Sequence, residues 1–177
     1  FSSHSEKQRL SVNYIWLCAK GPQQTFPDYA TRLPLHNFER MYDNAKRYPS
    51  AEFNFWLDYR QLTFTDRFFL DSHRYQFEAH HIRVRNLCEI PAYAENEGFA
   101  PDTNIALYAR ADYARILVLK FLHQSHPEGT TIYSDMDCED VLIHSHHTQS
   151  TLQQHGIAYG AWDNRICNGF IGIHGVL

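Results

Sequence analysis

The stretch Thr130–Asp140, TTIYSDMDCED, decides the fold of this chain. Its first half is a short run of β-branched and aromatic residues, which is typical of a buried strand. The run is followed by two carboxylates, Asp135 and Asp137, with one residue between them. Ligands of open α/β sheets bind at the carboxyl ends of the strands. The stretch therefore predicts a polar binding site at the end of a strand.

These two carboxylates predict a site for a divalent metal and a diphosphate. Hard oxygen ligands suit Mg²⁺ or Mn²⁺, and an ion held by Asp137 would neutralise a departing diphosphate. Asp135 would hold the water of the metal or the ribose hydroxyls. The helical stretch before the strand adds Asp112, which can accept hydrogen bonds from sugar hydroxyls, and Arg115, a planar fork for phosphate oxygens.

The rest of the chain alternates between strand and helix patterns. Trp16 lies near the end of a predicted first strand, where its ring could stack on a flat base. Thr103 is predicted to cap the long helix before the aspartates. The alternation predicts an α/β fold, a mostly parallel sheet flanked by helices. Strands are predicted at 12–18, 52–57, 82–87, 130–133 and 157–161, and helices at 34–47, within 60–79 and at 104–123.

Length and composition narrow the class of protein. The 177 residues predict one domain, residues 1–177, and the start at Phe1 without methionine suggests a piece of a longer protein. The net charge of −4 gives no global attraction to nucleic acid or to an anionic membrane. The early apolar run Val12–Ala19 is far too short to span a membrane. Four scattered cysteines are predicted to be free thiols: Cys18, Cys88, Cys138 and Cys167.

Each candidate residue also has a purely structural interpretation. An isolated D-x-D pair is commonly surface charge, and Asp112 with Arg115 can be an ordinary ion pair on a helix. Trp16 and Tyr133 can both be core residues. The combination of the D-x-D pair with its preceding strand, the Asp112–Arg115 pair and Trp16 favours a functional site over these separate interpretations.

Other functional sites fit the residues less well. An EF-hand loop starting at Asp135 would need glycine at Asp140 and glutamate at His146. A phosphatase that forms an aspartyl phosphate would carry threonine or valine where Glu139 stands. The nearby histidines have neither a paired cysteine nor helical spacing, so they favour a polar loop over a zinc site: His144, His146 and His147.

Five ordered segments resemble glycosyltransferases of the GT-A fold with a DXD sugar-binding motif. The closest pattern is that of the large clostridial glucosylating toxins, related bacterial effectors and initiating yeast mannosyltransferases. The turn between helix and motif strand, residues 124–131, is longer than the short Gly-Gly turn of the family. The segments are VNYIWL at 12–17, WLDY at 56–59, A-x-x-D-x-x-R at 109–115, IYSDMD at 132–137 and NGFI at 168–171.

The resemblance implies a set of site residues and a cofactor. Asp137 would be the direct ligand of Mn²⁺ or Mg²⁺, with Asp135 beside the metal and the ribose. Asp112 and Arg115 would hold the donor sugar and ribose, and with the two motif aspartates they form the predicted catalytic set. The remaining donor-binding residues would be Trp16, stacked on uracil, together with Tyr133 and Asn168.

The resemblance also implies an activity and partners. The chain would form the nucleotide-sugar-binding part of a retaining glycosyltransferase with UDP-glucose or UDP-N-acetylglucosamine as donor. The acceptor would be a host protein, reached by a secreted bacterial effector or toxin in the host cytoplasm. A cytoplasmic or Golgi-lumen location is the alternative. The alternative function is that of a degenerate GT-A domain retained as a protein- or nucleotide-binding module.

Overall fold

The fold is built on a mixed β-sheet. The computed structural model describes residues 9–18, 31–140, 151–162 and 165–174, without the side chains of residues 160–168. Its strands are Leu10–Trp16 (β1), Glu52–Leu57 (β2), Ile82–Asn86 (β3), Thr130–Ser134 (β4), Ile157–Trp162 (β5) and Arg165–His174 (β6). Within these ranges the six strands form one sheet in the order β3-β2-β1-β4-β6-β5.

Four neighbouring strands of this sheet are parallel. Strand β1 pairs in parallel with both β2 and β4, and β2 pairs in parallel with β3. Strand β6 runs antiparallel to β4 and β5. The predicted mostly parallel sheet is confirmed, whereas β6 has no counterpart among the sequence predictions. Its Asn168, Gly169 and Gly172 are residue types that are depleted in strands, which hides it from a propensity pattern.

Helices connect the parallel strands. They are Phe38–Arg47 (α1), Phe64–Ala79 (α2), Pro91–Ala94 (α3) and Leu107–Ser125 (α4). Helix α2 begins with a reciprocal capping box formed by Thr63 and Asp66. The predicted cap at Thr103 is wrong, because α4 begins at Leu107 with Ala106 at the cap position. The Thr103 hydroxyl instead accepts the N–H of Ile105 in a local turn, 3.3 Å away.

Apolar side chains cover both faces of the sheet. Successive residues of a strand point to opposite faces, so Tyr14 packs in one core and Ile15 in the other. The first core joins the sheet to α1 and α2 through Phe38 and Phe77. The second core joins it to α4 through Val118, among others. This arrangement confirms that helices flank the sheet.

A buried polar network crosses the three central strands. Asn13 on β1 is fully buried, and its amide nitrogen donates to Ser11 Oγ at 3.0 Å and to the Ile132 carbonyl on β4 at 3.1 Å. Its amide oxygen accepts from Asn54 Nδ2 at 3.1 Å and Trp56 Nε1 at 2.9 Å, both on β2. The amide group of Asn13 therefore ties β1 to both of its neighbours through side-chain bonds.

Two predictions from composition bear on the described residues. Cys18, Cys88 and Cys138 are free thiols, as predicted, and the side chain of Cys167 lies outside the described part. Across the described ranges, no helix combines the length and apolar character needed to cross a bilayer.

Candidate functional site

A cleft of about 360 Å³ opens at the edge of the sheet where β1 and β4 end. Five predicted site residues line it directly: Trp16, Arg115, Tyr133, Asp135 and Asp137. Further lining comes from Ile15, Leu17, Asn37, Leu107, Tyr108, Ala111 and Met136.

Strand pairing explains why these residues meet. Asn13 of β1 pairs with Tyr133 of β4 in parallel, so both strands leave the sheet at the same edge. Trp16 is the last residue of β1, and Asp135 follows the last residue of β4. The backbone N–H of Asp135 donates to the Gly169 carbonyl of β6 at 2.8 Å, which holds the start of the acidic loop against the sheet.

Arg115 links the helix residues to the strand-end residues. Its Nη1 lies 3.5 Å from Asp112 Oδ1, and its Nη2 lies 3.5 Å from Asp135 Oδ1. Its guanidinium carbon lies 4.6 Å from the centre of the Tyr133 ring, within cation–π range. The longer turn at 124–131 thus leaves Arg115 beside the strand-end aspartate, whereas Asp112 contacts Arg115 and is not among the residues that line the cleft.

Tyr133 orients one oxygen of Asp135. The tyrosine hydroxyl donates to Asp135 Oδ1 at 2.6 Å. Burial, with the negative charge of Asp135 beside it, raises the pKa of Tyr133 far above its usual value. The hydroxyl therefore stays protonated and acts as a donor at any physiological pH. Tyr133 is both a core residue and a support for the predicted metal-side carboxylate.

Asp137 presents an accessible carboxylate at the mouth of the cleft. The residue is exposed, and within the described part of the chain its carboxylate has neither a hydrogen-bond donor nor a cationic partner. Its backbone carbonyl, by contrast, accepts from Arg40 Nη1 at 3.0 Å. A fixed backbone with an uncommitted carboxylate is the arrangement expected of a ligand for an outside group.

Helix α1 holds the backbone of the acidic loop. Arg40, Asn44 and Arg47 lie at i, i+4 and i+7, on one face of the helix. These side chains donate to three successive carbonyls, those of Asp137, Cys138 and Glu139, at 3.0, 3.2 and 3.1 Å. These positioning residues are not among the residues predicted from the sequence, although their i, i+4 and i+7 spacing is typical of a polar helix face.

Loss of the Asn44 amide is expected to loosen this loop. Asn44 is fully buried, so Asn44→Leu leaves the Cys138 carbonyl without its donor, which costs about 1–3 kcal/mol. We expect a lower free energy of unfolding in urea. Lys46→Ala, an exposed position of the same helix, is the matched control. An unchanged free energy of unfolding in Asn44→Leu would show that the loop holds its shape without the Asn44 hydrogen bond.

The orientation of Trp16 depends on the buried carboxylate of Asp66. The indole Nε1 donates to the Arg32 carbonyl at 3.0 Å. Asp66 Oδ1 accepts from the Arg32 N–H and the Thr31 hydroxyl, both at 2.9 Å. Burial alone would raise the pKa of Asp66, but hydrogen bonds from the backbone of Thr63 and Arg32 and from the threonine hydroxyls hold it below its usual value. Asp66 therefore supports the segment that holds the indole edge.

The carboxylates fit a metal that is shared with a ligand. No group of three or more His, Cys, Asp or Glu side chains suited to a metal occurs in the ranges that the structure describes. Mg²⁺ is commonly held by one or two carboxylates together with substrate phosphates and water. Asp137 and the second oxygen of Asp135 are the carboxylate groups of the cleft that could hold such an ion. The histidines His144, His146 and His147 lie outside the described residues, as does the side chain of Asn168.

Comparisons with known proteins give the fold. No family model and no curated protein matches the chain. The solved structure of the PaToxG glycosyltransferase matches with a TM-score of 0.43 and 13% identity, over 73% of this chain and 42% of that chain. The present chain thus spans less than half the length of that structure.

A second solved structure, of a transferase with two cysteine-to-serine substitutions, matches more completely. Its TM-score is 0.55 at 13% identity, over 94% of this chain and 73% of that chain. A likeness at this identity establishes the fold. The chain therefore has a Rossmann-like α/β fold shared with a transferase, in agreement with the glycosyltransferase fold predicted from its sequence.

Proposed function

We propose that this chain binds the nucleotide-sugar donor of a metal-dependent glycosyltransferase. The observation that carries the proposal is the cleft at the carboxyl ends of β1 and β4. It brings together an aromatic ring, a guanidinium and two carboxylates from separate parts of the sequence: Trp16, Arg115, Asp135 and Asp137. Ligands of α/β sheets occupy this edge. The second solved structure is named a transferase, which supports transfer chemistry.

Each residue has a role in holding the donor. The base would stack on Trp16, while Arg115 and Asp112 contact the sugar and ribose hydroxyls. Asp137 and Asp135 would hold Mn²⁺ or Mg²⁺, which when bound stabilises the negative charge of the leaving diphosphate. UDP-glucose or UDP-N-acetylglucosamine is the proposed donor. Asn168 stays a predicted donor-binding residue.

The proposed reaction moves a sugar from phosphate to an acceptor hydroxyl. The bond between the anomeric carbon and the diphosphate oxygen breaks, and its electron pair leaves with the diphosphate. A new bond forms between that carbon and the acceptor oxygen, which loses its proton to solvent. Retention at the anomeric carbon, a protein acceptor and action inside a host cell stay predictions from the family resemblance.

Calorimetry of donor binding tests the proposal. UDP-glucose, UDP-N-acetylglucosamine and GDP-mannose are each titrated into the chain with Mn²⁺ and with a chelator. We expect tight, Mn²⁺-dependent binding of a UDP-sugar and little binding in chelator. Binding that chelator leaves unchanged would contradict the metal role. Binding of donor without turnover by a chain extended at its carboxyl terminus would favour the nucleotide-binding-module alternative.

A further inference from the structure

Asn37 is a buried polar residue of the cleft that the proposed function leaves without a role. It is 9% exposed and ends the short 3-10 turn Leu35–Asn37 before α1. It lines the cleft together with Trp16 and Asp137. Its backbone N–H donates to the Pro34 carbonyl, but its side-chain amide makes no hydrogen bond within the described residues.

The Asn37 amide stays accessible although the residue as a whole is buried. A few side-chain polar atoms of the described residues have neither a hydrogen-bond partner nor access to solvent. The Asn37 amide is not one of them. The amide group therefore reaches the open space of the cleft, where a bound ligand can contact it.

We propose that Asn37 recognises the edge of the base that stacks on Trp16, an inference that rests on the proposed function. An asparagine amide presents an acceptor and a donor side by side. The imide edge of a uracil-type base presents the complementary pair, a ring N–H next to a carbonyl. Stacking on an indole is tolerant of base identity because every base has a π-face. Selection among bases therefore needs an in-plane contact, and Asn37 supplies it.

The location of Asn37 relative to Trp16 supports this assignment. The Trp16 indole N–H is committed to the Arg32 carbonyl, so the indole offers its ring face rather than its donor to a ligand. Thr31 and Arg32 lead directly into the turn that carries Asn37. The segment that binds the Trp16 indole N–H thus continues into the turn that carries Asn37. Asp66 holds the start of this segment by hydrogen bonds.

A coupling experiment with a methylated base tests the inference. UDP and 3-methyl-UDP, in which a methyl group replaces the imide hydrogen, are titrated with Mn²⁺ into wild type, Asn37→Leu and Asn104→Leu. We expect wild type to prefer UDP by about tenfold or more, as the loss of a buried hydrogen-bonded pair implies. In Asn37→Leu the two ligands should bind alike. Asn104, exposed and outside the cleft lining, is the matched control and should keep the wild-type preference.

Each other outcome is informative. A preference for UDP that persists undiminished in Asn37→Leu overturns the role of Asn37 while the donor site stands. Failure of wild type to bind UDP with Mn²⁺ overturns the proposed function and this inference together. If Asn37→Leu does not fold, Asn37→Asp keeps the shape but replaces the N–H donor with an oxygen. It should weaken UDP binding by about tenfold with an unchanged melting temperature, and undiminished binding would contradict the inference.

Discussion

Asp137→Ala is expected to abolish Mn²⁺-dependent binding of nucleotide sugars and to leave the fold intact. The Asp137 carboxylate is exposed and has no protein partner in the described part of the chain, so its removal breaks no contact. The proposed metal loses its direct ligand, and the diphosphate then faces Asp135 without a cation between them. We expect at least a hundredfold loss of donor affinity in Mn²⁺, about 2.7 kcal/mol, which lies within the range for removing one partner of a charged contact.

The control for this prediction lies in the same loop. Glu139 is exposed and, like Asp137, contacts α1 through its backbone carbonyl. Glu139→Ala removes one negative charge at a similar location and should keep wild-type affinity. Affinity in chelator should be the same for both variants and wild type. If Asp137→Ala binds the donor as tightly as Glu139→Ala, the metal is held elsewhere.

Asp66→Ala is expected to lower the free energy of unfolding more than Asn44→Leu does. The Asp66 side chain is inaccessible and accepts hydrogen bonds from Thr63, Thr31 and Arg32. Removing one partner of a buried, hydrogen-bonded ion pair costs about 3–5 kcal/mol, since the other groups lose their acceptor. Urea unfolding measures this loss. Asp71→Ala, which removes an exposed ion pair with Arg74 on the same helix, should cost less than about 1 kcal/mol.

The contribution of Asp66 to the free energy of unfolding should decrease as the pH is lowered. Its pKa in the folded chain lies below the usual value of about 3.9. Its contribution to stability is therefore complete above about pH 4 and is lost as the pH falls through the folded pKa. The difference in unfolding free energy between wild type and Asp66→Ala should be largest above that pH and shrink in more acid buffer. A difference in unfolding free energy that stays constant down to about pH 2 would contradict the lowered pKa of Asp66.

The parts of this structure that follow a repeating pattern could be predicted from the sequence. Short runs of apolar β-branched and aromatic residues predicted the parallel strands, because a strand that is buried on both faces of a sheet is apolar along nearly its whole length. The place of Asp135 and Asp137 follows from the same logic, since a polar pair after a buried strand must lie at the strand end. The helical spacing of Asp112 and Arg115 placed them one turn apart on α4, where both are found.

The remaining features depend on contacts that leave little trace in a single sequence. The donors on α1 bind backbone carbonyls, and every residue type has a carbonyl, so Asn44 has no recognisable partner residue. Asn37 is distinguished only by burial without a partner, which needs coordinates to detect. Asp66 was not singled out because its acceptor role joins segments that are thirty or more residues apart.

The amide of Asn13 has a consequence for how the chain chooses its strand alignment. Apolar side chains alternate along β1 and β2, so sliding one strand by two residues would keep apolar groups facing the core. Such a slip would separate Asn13 from Asn54, Trp56 and Ile132 and leave buried polar groups unmatched. Hydrophobic burial thus selects the face of each strand, whereas this one amide selects the offset. That offset brings Trp16 and Asp135 to the rim of the same cleft.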